Sequence, residues 1–547
     1  MTLPRKDSVS SATPATAVTS ATRVLPPVLG RLLSGTFWLA LRVPLQFVFA
    51  LLTTRLVLDA IGPFENGAYA FAWGLGFFQF LFEFGASSAL QRQISAAWTR
   101  GDRAGVDRAI ACGMTFYAAM AVLQVAALLG VAYWALPHSK LDASSYPLVV
   151  KLLWLQAVTA PCFGMSVVVS SVLQAARRYA FVPKLEVGIT ILRFAVLLIG
   201  VRSRFDFFWI IVAQTAIQVG LSLGPALWVM VRELGHVPHF GGAHWIDYKT
   251  LGQFSFYIAL IQISVVMADK LDTTVLGFIL GPRPEPAITV YTVVSKPFLQ
   301  LRQTGWMLAY MVMPAVASLA AARDLKGLDR VKYDGTRLHI AVLLPVGLLA
   351  WIYASPFLSL WLGDRQWDAM DALGYDLADV MWLMRLFLIA SIPIVLSVPV
   401  QMSIGLNKVK VIGLSALAGS LFNLPISCYL TARVGVAGVI WGTILTTLFS
   451  NFLVPGIYIF RVLEIDPRTY LRRTLIAPLA GGAALILMTS VFQLIIPCLG
   501  VGAAPGPRVV LLMLHLSLGT LAYAAGYLFV PGGRADFREL VARLRRR

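Results

Sequence analysis

Apolar residues along this chain form long continuous runs and do not alternate with polar ones. Each run reaches the roughly 20 residues that a helix needs to cross about 30 Å of hydrocarbon. Strands of a membrane barrel would instead be about 10 residues long with alternating polarity. The pattern predicts an all-α polytopic membrane protein with about fourteen transmembrane helices. These predicted spans 1–14 are 33–60, 67–91, 107–136, 147–174, 182–201, 206–230, 251–280, 288–318, 338–361, 380–402, 409–431, 435–459, 473–497 and 508–530.

A repeat relates two parts of the chain. Gly62-Pro63 recurs 219 positions later as Gly281-Pro282, and Phe37, Ala40, Leu41 and Thr54 match at the same offset. Spans 1–6 would then correspond to spans 7–12 in the same orientation, and parallel repeats place a substrate site at their interface near mid-membrane. The sequence thus predicts an N-lobe at 31–235, a C-lobe at 236–462 and two extra spans at 463–531.

Composition supports the membrane assignment and fixes an expected orientation. Hydrophobic residues make up 58% and charged residues 13% of the 547 residues, where soluble domains have about 25% charged residues. The net charge of +19 follows the positive-inside rule if both termini are cytoplasmic, so it gives no reason to expect nucleic acid as a partner. Residues 1–30 are rich in Ser, Thr, Ala and Pro and are predicted to be a disordered cytoplasmic tail. Residues 532–547 are predicted to be a basic cytoplasmic tail that contacts anionic lipid headgroups.

Charged residues inside spans cost several kcal/mol unless they face protein or water, so they mark candidate function. Two readings stay open for them: they bind substrate in a cavity, or they only lock helices together. The candidate substrate-binding set is Arg42, Gln46, Arg193, Lys296, Gln300 and Arg302. The candidate coupling or ion-pair acids are Glu83, Asp269 and Asp272, and the similar predicted depth of Arg42 and Glu83 suggests a buried ion pair.

Motifs for nucleotide binding, metal binding and hydrolysis are missing. The sequence has no Walker A motif, no HExxH motif, and no pair of cysteines at zinc-ligand spacing. We therefore expect a transporter without a cofactor, driven by a gradient of H⁺ or Na⁺, by the membrane potential or by downstream consumption of its product.

Three tracts resemble the polysaccharide-exporter branch, the lipid-linked oligosaccharide flippases, of the multidrug/oligosaccharidyl-lipid/polysaccharide flippase superfamily. The run 33–39 (LSGTFWL) is similar to the start of span 1 in that branch. The tract 54–69 has the arginine, glycine and aromatic residue that the family usually has there. The tract 83–92 has the acidic residue, glycine and arginine of span 2.

The resemblance implies a V-shaped pair of six-helix lobes that alternate between inward-open and outward-open states. The cargo would be a polyprenyl-diphosphate-linked oligosaccharide, whose diphosphate would meet Arg42, Lys296 and Arg302. Spans 13 and 14 would form a lipid-facing groove. The setting would be the cytoplasmic (inner) membrane, with glycosyltransferases and a polymerase of the same pathway as partners.

Two other functions are compatible with the pattern of spans. A cation-coupled multidrug exporter of the same superfamily would have twelve spans, and a cationic cavity suits organic cations poorly. A membrane-embedded polysaccharide polymerase or ligase would need a large catalytic loop, whereas the loops here are short.

Overall fold

The computed structural model describes residues 25–81, 83, 86–176, 178, 180–310, 312–406, 408–495 and 505–545. Every regular element in these ranges is helical. Ten helices among them are long and apolar enough to cross a membrane. The prediction of an all-α polytopic membrane protein is therefore confirmed.

Spans 1–6 form the first half of the molecule. A single helical segment, interrupted at Gly62, contains span 1 and the start of span 2. The helices of this half are Leu25–Gly74, Phe77–Leu81, Ala86–Thr99, Arg103–Gly130 with turns to His138, Ala143–Ser145 leading into Tyr146–Ala175, Phe181–Arg202, and Phe207–Trp228 continued to Glu233.

Spans 7–12 form the second half and are followed by spans 13 and 14. The helices of spans 7–9 are Trp245–Ile279, Glu285–Tyr310, Val312–Ala321, Leu325–Arg330, Val331–Gly335, Thr336–Ile352, Ala354–Leu362 and Asp364–Asp371. Those of spans 10–14 and the C-terminus are Leu377–Ile389, Ile392–Leu396, Ser397–Gly405, Lys410–Val434, Val436–Thr447, Leu448–Leu453, Val454–Val462, Pro467–Tyr470, Leu471–Leu475, Ile476–Ile495, Pro505–Phe529 and Pro531–Arg545.

Several spans that look continuous in the sequence are broken in the structure. Gly62 has φ +75°, a conformation open to glycine, and it separates span 1 from span 2. Span 2 is then interrupted at Leu75 and Gly76, and span 10 contains a 3₁₀ turn at Ile392–Leu396. Hydropathy misses the breaks within spans 2 and 10 because the residues there are as apolar as their neighbours.

The two ends of the spans define two faces of the molecule. Connections after even-numbered spans, together with the helix Pro531–Arg545, lie at what we call the basic face. Connections after odd-numbered spans lie at the opposite face. At the basic face the helical structure begins at Leu25, within the segment predicted as a tail, and residues 1–24 lie outside the described residues.

One hydrophobic core joins the two halves toward the opposite face. It contains Leu58 and Phe71 from the first half with Ile288, Phe387 and Ile440 from the second half. Burial of apolar surface on this scale is the main source of packing energy. The halves are therefore firmly closed at this end.

Toward the basic face, the cores of the two halves are separate. One cluster lies in the first half and contains Ile94, Ile110 and Val172. It also contains Leu251, at the start of span 7. Ile412 and Ile459 belong to a different cluster of the second half. The space between the halves therefore lacks a shared apolar core on this side, apart from the contact of span 7.

Close helix packing in the second half depends on Gly438. A Cβ atom placed there would lie 2.3 Å from the backbone carbonyl carbon of Leu430, in the neighbouring span 11. We expect Gly438→Ala to lower the free energy of unfolding by about 1–3 kcal/mol, since backbone cannot move aside as a side chain can. Thermal unfolding of purified protein in detergent measures the effect.

Gly456→Ala is the matched control in the same span. Its added methyl would lie 3.4 Å from Leu396 Cδ1, which is a tight contact with a flexible side chain. We expect little loss of stability in this variant. Equal melting temperatures for the two variants would contradict the packing argument.

Candidate functional site

Lys296 connects the two halves near the middle of the membrane. Its Nζ donates a hydrogen bond to Thr54 Oγ1 of span 1. Thr54 in turn donates to the carbonyl of Ala50 at 2.8 Å. Spans 1 and 8, which the repeat and the buried charges single out, therefore meet at this point.

Three cations descend along these two spans toward the basic face. At 1.5 Å per residue, Lys296 lies about 16 Å below the helix start at Glu285, and Arg302 about 25 Å below it. Arg42 lies about 30 Å along span 1 from Gly62. All three side chains are half-buried, as are those of Gln46 and Gln300. Polar side chains thus occur at successive depths on spans 1 and 8, and Lys296 contacts span 1 directly.

Arg193 occupies a separate position behind span 1. Its Nη1 donates to Gln218 Oε1 at 2.9 Å, and the Gln214 amide donates to its backbone carbonyl at 2.9 Å. The neighbouring Phe194 ring contacts Phe49 of span 1, with centroids 4.6 Å apart. Arg193 is therefore hydrogen-bonded to span 6. The sequence did not indicate this contact.

Three of these cations lack acidic partners within the part of the chain that the structure describes: no ion pair there includes Arg42, Arg193 or Lys296. The Nε atoms of Arg42 and Arg193 are buried and have no hydrogen-bond partner. A cation removed from water without a counter-charge is costly, so this region is suited to an anionic ligand.

The expected ion pair between Arg42 and Glu83 is wrong. Glu83 instead lines a small cavity of about 10 Å³ inside the first half, together with Tyr117, Gln124 and Gly164. It accepts a hydrogen bond from Ser87. Glu83 lies in a turn, whereas the estimate of its depth assumed a continuous helix.

Asp272 lies in a polar network within the second half and is 1% exposed. Its Oδ2 accepts hydrogen bonds from the Tyr291 hydroxyl at 2.5 Å and the Thr443 hydroxyl at 3.3 Å. The Asn423 amide joins the network through Thr443 at 3.4 Å and Thr446 at 2.9 Å. The side chain of Asp269, the other candidate acid of span 7, lies outside the described residues.

Arg385 in span 10 was missed by the sequence analysis. Its guanidinium lies over the Trp351 ring of span 9, 5.6 Å from the centroid, and its Nε is buried without a partner. The sequence did contain one signal for it, since Arg385 is a charged residue within the apolar run of span 10.

A set of contacts clasps the halves together at the opposite face, and we call it the opposite-face clasp. Glu285 Oε1 accepts hydrogen bonds from the Asp142 backbone N–H at 2.7 Å and from Ser145 Oγ at 2.9 Å. Arg283 Nε donates to Asp142 Oδ2 at 2.7 Å, and its backbone N–H donates to the Lys140 carbonyl. Hydrogen bonds from Ser144 and Arg283 lower the pKa of Asp142 to about 2. Residues 140–145 of the first half are thereby hydrogen-bonded to residues 283–285 of the second half.

Solved structures with the same arrangement of helices are transporters. No family model matches this chain, and no curated protein matches it. The structure titled lipid II flippase MurJ, inward closed conformation, superposes with a TM-score of 0.67 at 12% identity, covering 92% of this chain and 99% of that one. The chain has the fold of the MOP-superfamily transporters.

Multidrug transporters of the same superfamily are further structural neighbours. An inward-facing MATE family transporter gives a TM-score of 0.58 at 13% identity, with 77% of this chain and 96% of that one covered. A point mutant of the Vibrio cholerae MATE transporter VcmN gives 0.55 at 13% identity, with 81% and 98% covered. The likeness to MurJ extends over more of this chain. Identities of 12–13% establish the fold alone.

Proposed function

We propose that this protein is a flippase of the polysaccharide-exporter type. It moves a polyprenyl-diphosphate-linked oligosaccharide across the cytoplasmic membrane, from the basic face to the opposite face, for polysaccharide biosynthesis. The observation that carries the proposal is that two membrane-embedded cations, Arg42 and Lys296, form no ion pair with any described residue. An anionic headgroup supplies the missing counter-charge.

The chemistry of the cargo matches this set. Unaided transfer would bring a diphosphate and a hydrated sugar into hydrocarbon, which is prohibitive without replacement contacts. Arginine binds phosphate oxygens in a fork, whereas lysine binds them as a point charge. Arg42, Arg302 and Lys296 would hold the diphosphate at successive depths, with Gln46 and Gln300 donating to the sugar. The polyprenyl chain stays in lipid, and spans 13 and 14 offer it an apolar surface.

The driving force in this proposal is an ion gradient. The Asp272 network provides a buried carboxylate in contact with the hydroxyl oxygens of Tyr291 and Thr443. Hard monovalent cations prefer such oxygen ligands, and a carboxylate also accepts a proton. We propose that H⁺ or Na⁺ acts there as co-substrate, and that Glu83 in the first half is a second candidate for this role.

The expected setting is the inner membrane of a bacterial cell with both termini in the cytoplasm. Glycosyltransferases would deliver the cargo at the basic face, and a polymerase would remove it at the opposite face. The protein itself would catalyse no covalent step in this scheme.

Drug export is a second candidate, because a specific observation favours it. Inside the first half, the Glu83 carboxylate lies among Tyr117, Met120 and Phe163, and a carboxylate with aromatic neighbours attracts an organic cation. In that case cationic drugs, and not lipid-linked sugars, would be the cargo.

A reconstituted transport assay decides between these candidates. Proteoliposomes would contain a fluorescent polyprenyl-diphosphate oligosaccharide, and a membrane-impermeant quencher would report its transbilayer movement under imposed H⁺ or Na⁺ gradients. We expect protein-dependent movement of this lipid and no accumulation of cationic dyes. Dye transport with a stationary lipid would reverse the assignment in favour of drug export.

A further inference from the structure

The C-terminal segment is a helix fixed to the spans and not a free tail. Arg337, at the basic-face end of span 9, donates through Nε to Asp536 Oδ2 at 2.8 Å and through Nη2 to Oδ1. The Tyr527 hydroxyl donates to Asp536 as well. Arg337 and Asp536 side chains are only 7% and 11% exposed, so the pair is held away from water. Charged pairs with two parallel hydrogen bonds fix direction as well as distance.

Further contacts hold the start of this helix close to span 14. Arg337 Nη1 also donates to the Arg473 carbonyl at 2.9 Å, so the same arginine contacts span 13. A Cβ atom at Gly533 would lie 2.0 Å from the Tyr527 carbonyl oxygen, so only glycine permits this approach. Arg534 Nε donates to the Leu528 carbonyl at 3.1 Å. We call the contacts of Asp536 with Arg337 and Tyr527 the helix clamp.

The clamped helix has an apolar side next to a basic side. At about 100° per residue, Phe537 and Val541 lie within about 40° of each other, and the sequence continues this side with leucines at 540 and 544. Arg534 and Arg538 lie beside it and are exposed. Phe537 is 52% exposed although the helix follows directly from a membrane span. Ala535 and Ala542 lie on the other side.

The charge of this segment is strongly asymmetric. Residues 531–547 contain six arginines and two acidic residues. One of the acidic residues, Asp536, is paired with Arg337 in the helix clamp. A helix with an apolar side edged by arginines is typical of one that lies in the membrane interface. Anionic lipid headgroups complement its charge, whereas zwitterionic headgroups do not.

We propose that the helix Pro531–Arg545 binds anionic lipid headgroups of the basic-face leaflet, with Phe537 and Val541 in the acyl boundary and Arg534 and Arg538 on lipid phosphates. The helix clamp sets which side faces the bilayer. The bound lipid thereby contacts an element that is joined to spans 9, 13 and 14. This assignment does not depend on the identity of the transported cargo.

The test uses a fluorophore on either side of the helix. The four native cysteines would be replaced by alanine, and NBD would be attached at Phe537→Cys or at Ala535→Cys in full-length protein. Nanodiscs would contain either phosphatidylglycerol or phosphatidylcholine alone. In phosphatidylglycerol we expect the probe at 537 to be protected from aqueous iodide and the probe at 535 to be quenched.

Charge variants separate headgroup binding from apolar burial. Each arginine near an anionic surface biases the bound state by roughly fivefold, so Arg534→Gln with Arg538→Gln shifts the bound fraction by about thirtyfold. The probe at 537 should then be quenched in phosphatidylglycerol as it is in phosphatidylcholine. Arg534→Lys with Arg538→Lys is the matched control and should keep the protection.

Asp536→Asn tests the role of the clamp. We expect this variant to stay associated with phosphatidylglycerol while the difference between positions 535 and 537 disappears, because the helix can then rotate. Equal quenching of the two probes in the parent protein, as expected of a helix that docks a soluble protein, would overturn the proposal. Protection at 537 that ignores lipid charge would overturn it too.

Discussion

Arg42→Met is expected to slow flipping of a polyprenyl-diphosphate oligosaccharide by about ten- to a hundredfold without a change in thermal stability. Hydrogen bonds to charged groups contribute about 1.5–3 kcal/mol each, and every 1.4 kcal/mol is tenfold in rate. Arg42 forms no hydrogen bond or ion pair with the residues that the structure describes, so its removal breaks no contact there. The loss should therefore appear in transport and leave the fold intact.

Two matched variants make the Arg42 result interpretable. Arg42→Lys keeps the charge but loses the fork geometry, so it should retain more activity than Arg42→Met. Lys151→Met removes an exposed cation from span 4, whose Nζ lies 5.6 Å from the centroid of the Phe208 ring, and should leave flipping unchanged. An Arg42→Met protein that melts at a lower temperature and flips at the parent rate would show that Arg42 only locks helices.

The sequence was sufficient for the layout of the membrane spans because hydropathy depends on local composition alone. The helices of spans 3, 4, 6 and 11 begin and end near the limits of their apolar runs. The breaks in spans 2 and 10 were not predictable in this way, since they depend on backbone geometry that apolar residues share. The estimate for Glu83 assumed a continuous helix, and the structure has Glu83 in a turn.

Contacts between distant segments were the other limit. The cations of spans 1 and 8 were identified from the sequence because a charge in an apolar run is conspicuous. The partners of Asp272 were not identified from the sequence, because threonine and tyrosine occur throughout these spans and Thr443 lies 171 residues from Asp272. Glu285 was also missed: it lies in a loop-like tract in sequence, yet it is 0% exposed in the structure.

The opposite-face clasp was therefore found only in the structure. The second large effect that we expect is easier opening at this face when Glu285 of the clasp is replaced. Glu285 is wholly buried between the halves and accepts two hydrogen bonds from the first half. If these bonds contribute about 1.5 kcal/mol each, Glu285→Ala favours opening at the opposite face by about a hundredfold. Glu285→Gln keeps one neutral acceptor and should give an intermediate shift.

A cysteine in the region between the halves reports this opening. Gln300→Cys, in protein whose native cysteines are replaced by alanine, would be labelled by a membrane-impermeant maleimide added at the opposite face. We expect Glu285→Ala to accelerate labelling by at least about tenfold. Arg283→Gln is the control from the same clasp: its side chain is 73% exposed, and an exposed ion pair contributes little, so labelling should change less than about fivefold.

The clasp should also be insensitive to pH over the physiological range. The pKa of Asp142 is lowered to about 2, so its ion pair with Arg283 is fully present above the ordinary aspartate pKa of 3.8 and is lost only as the pH falls through about 2. The ratio of the labelling rates of the parent and Arg283→Gln proteins, in which the pH dependence of the thiol cancels, should therefore be constant between about pH 5 and pH 8. A Glu285→Ala protein labelled from the opposite face no faster than its parent would show that the apolar core around Leu58 and Ile288, and not the clasp, keeps this face closed.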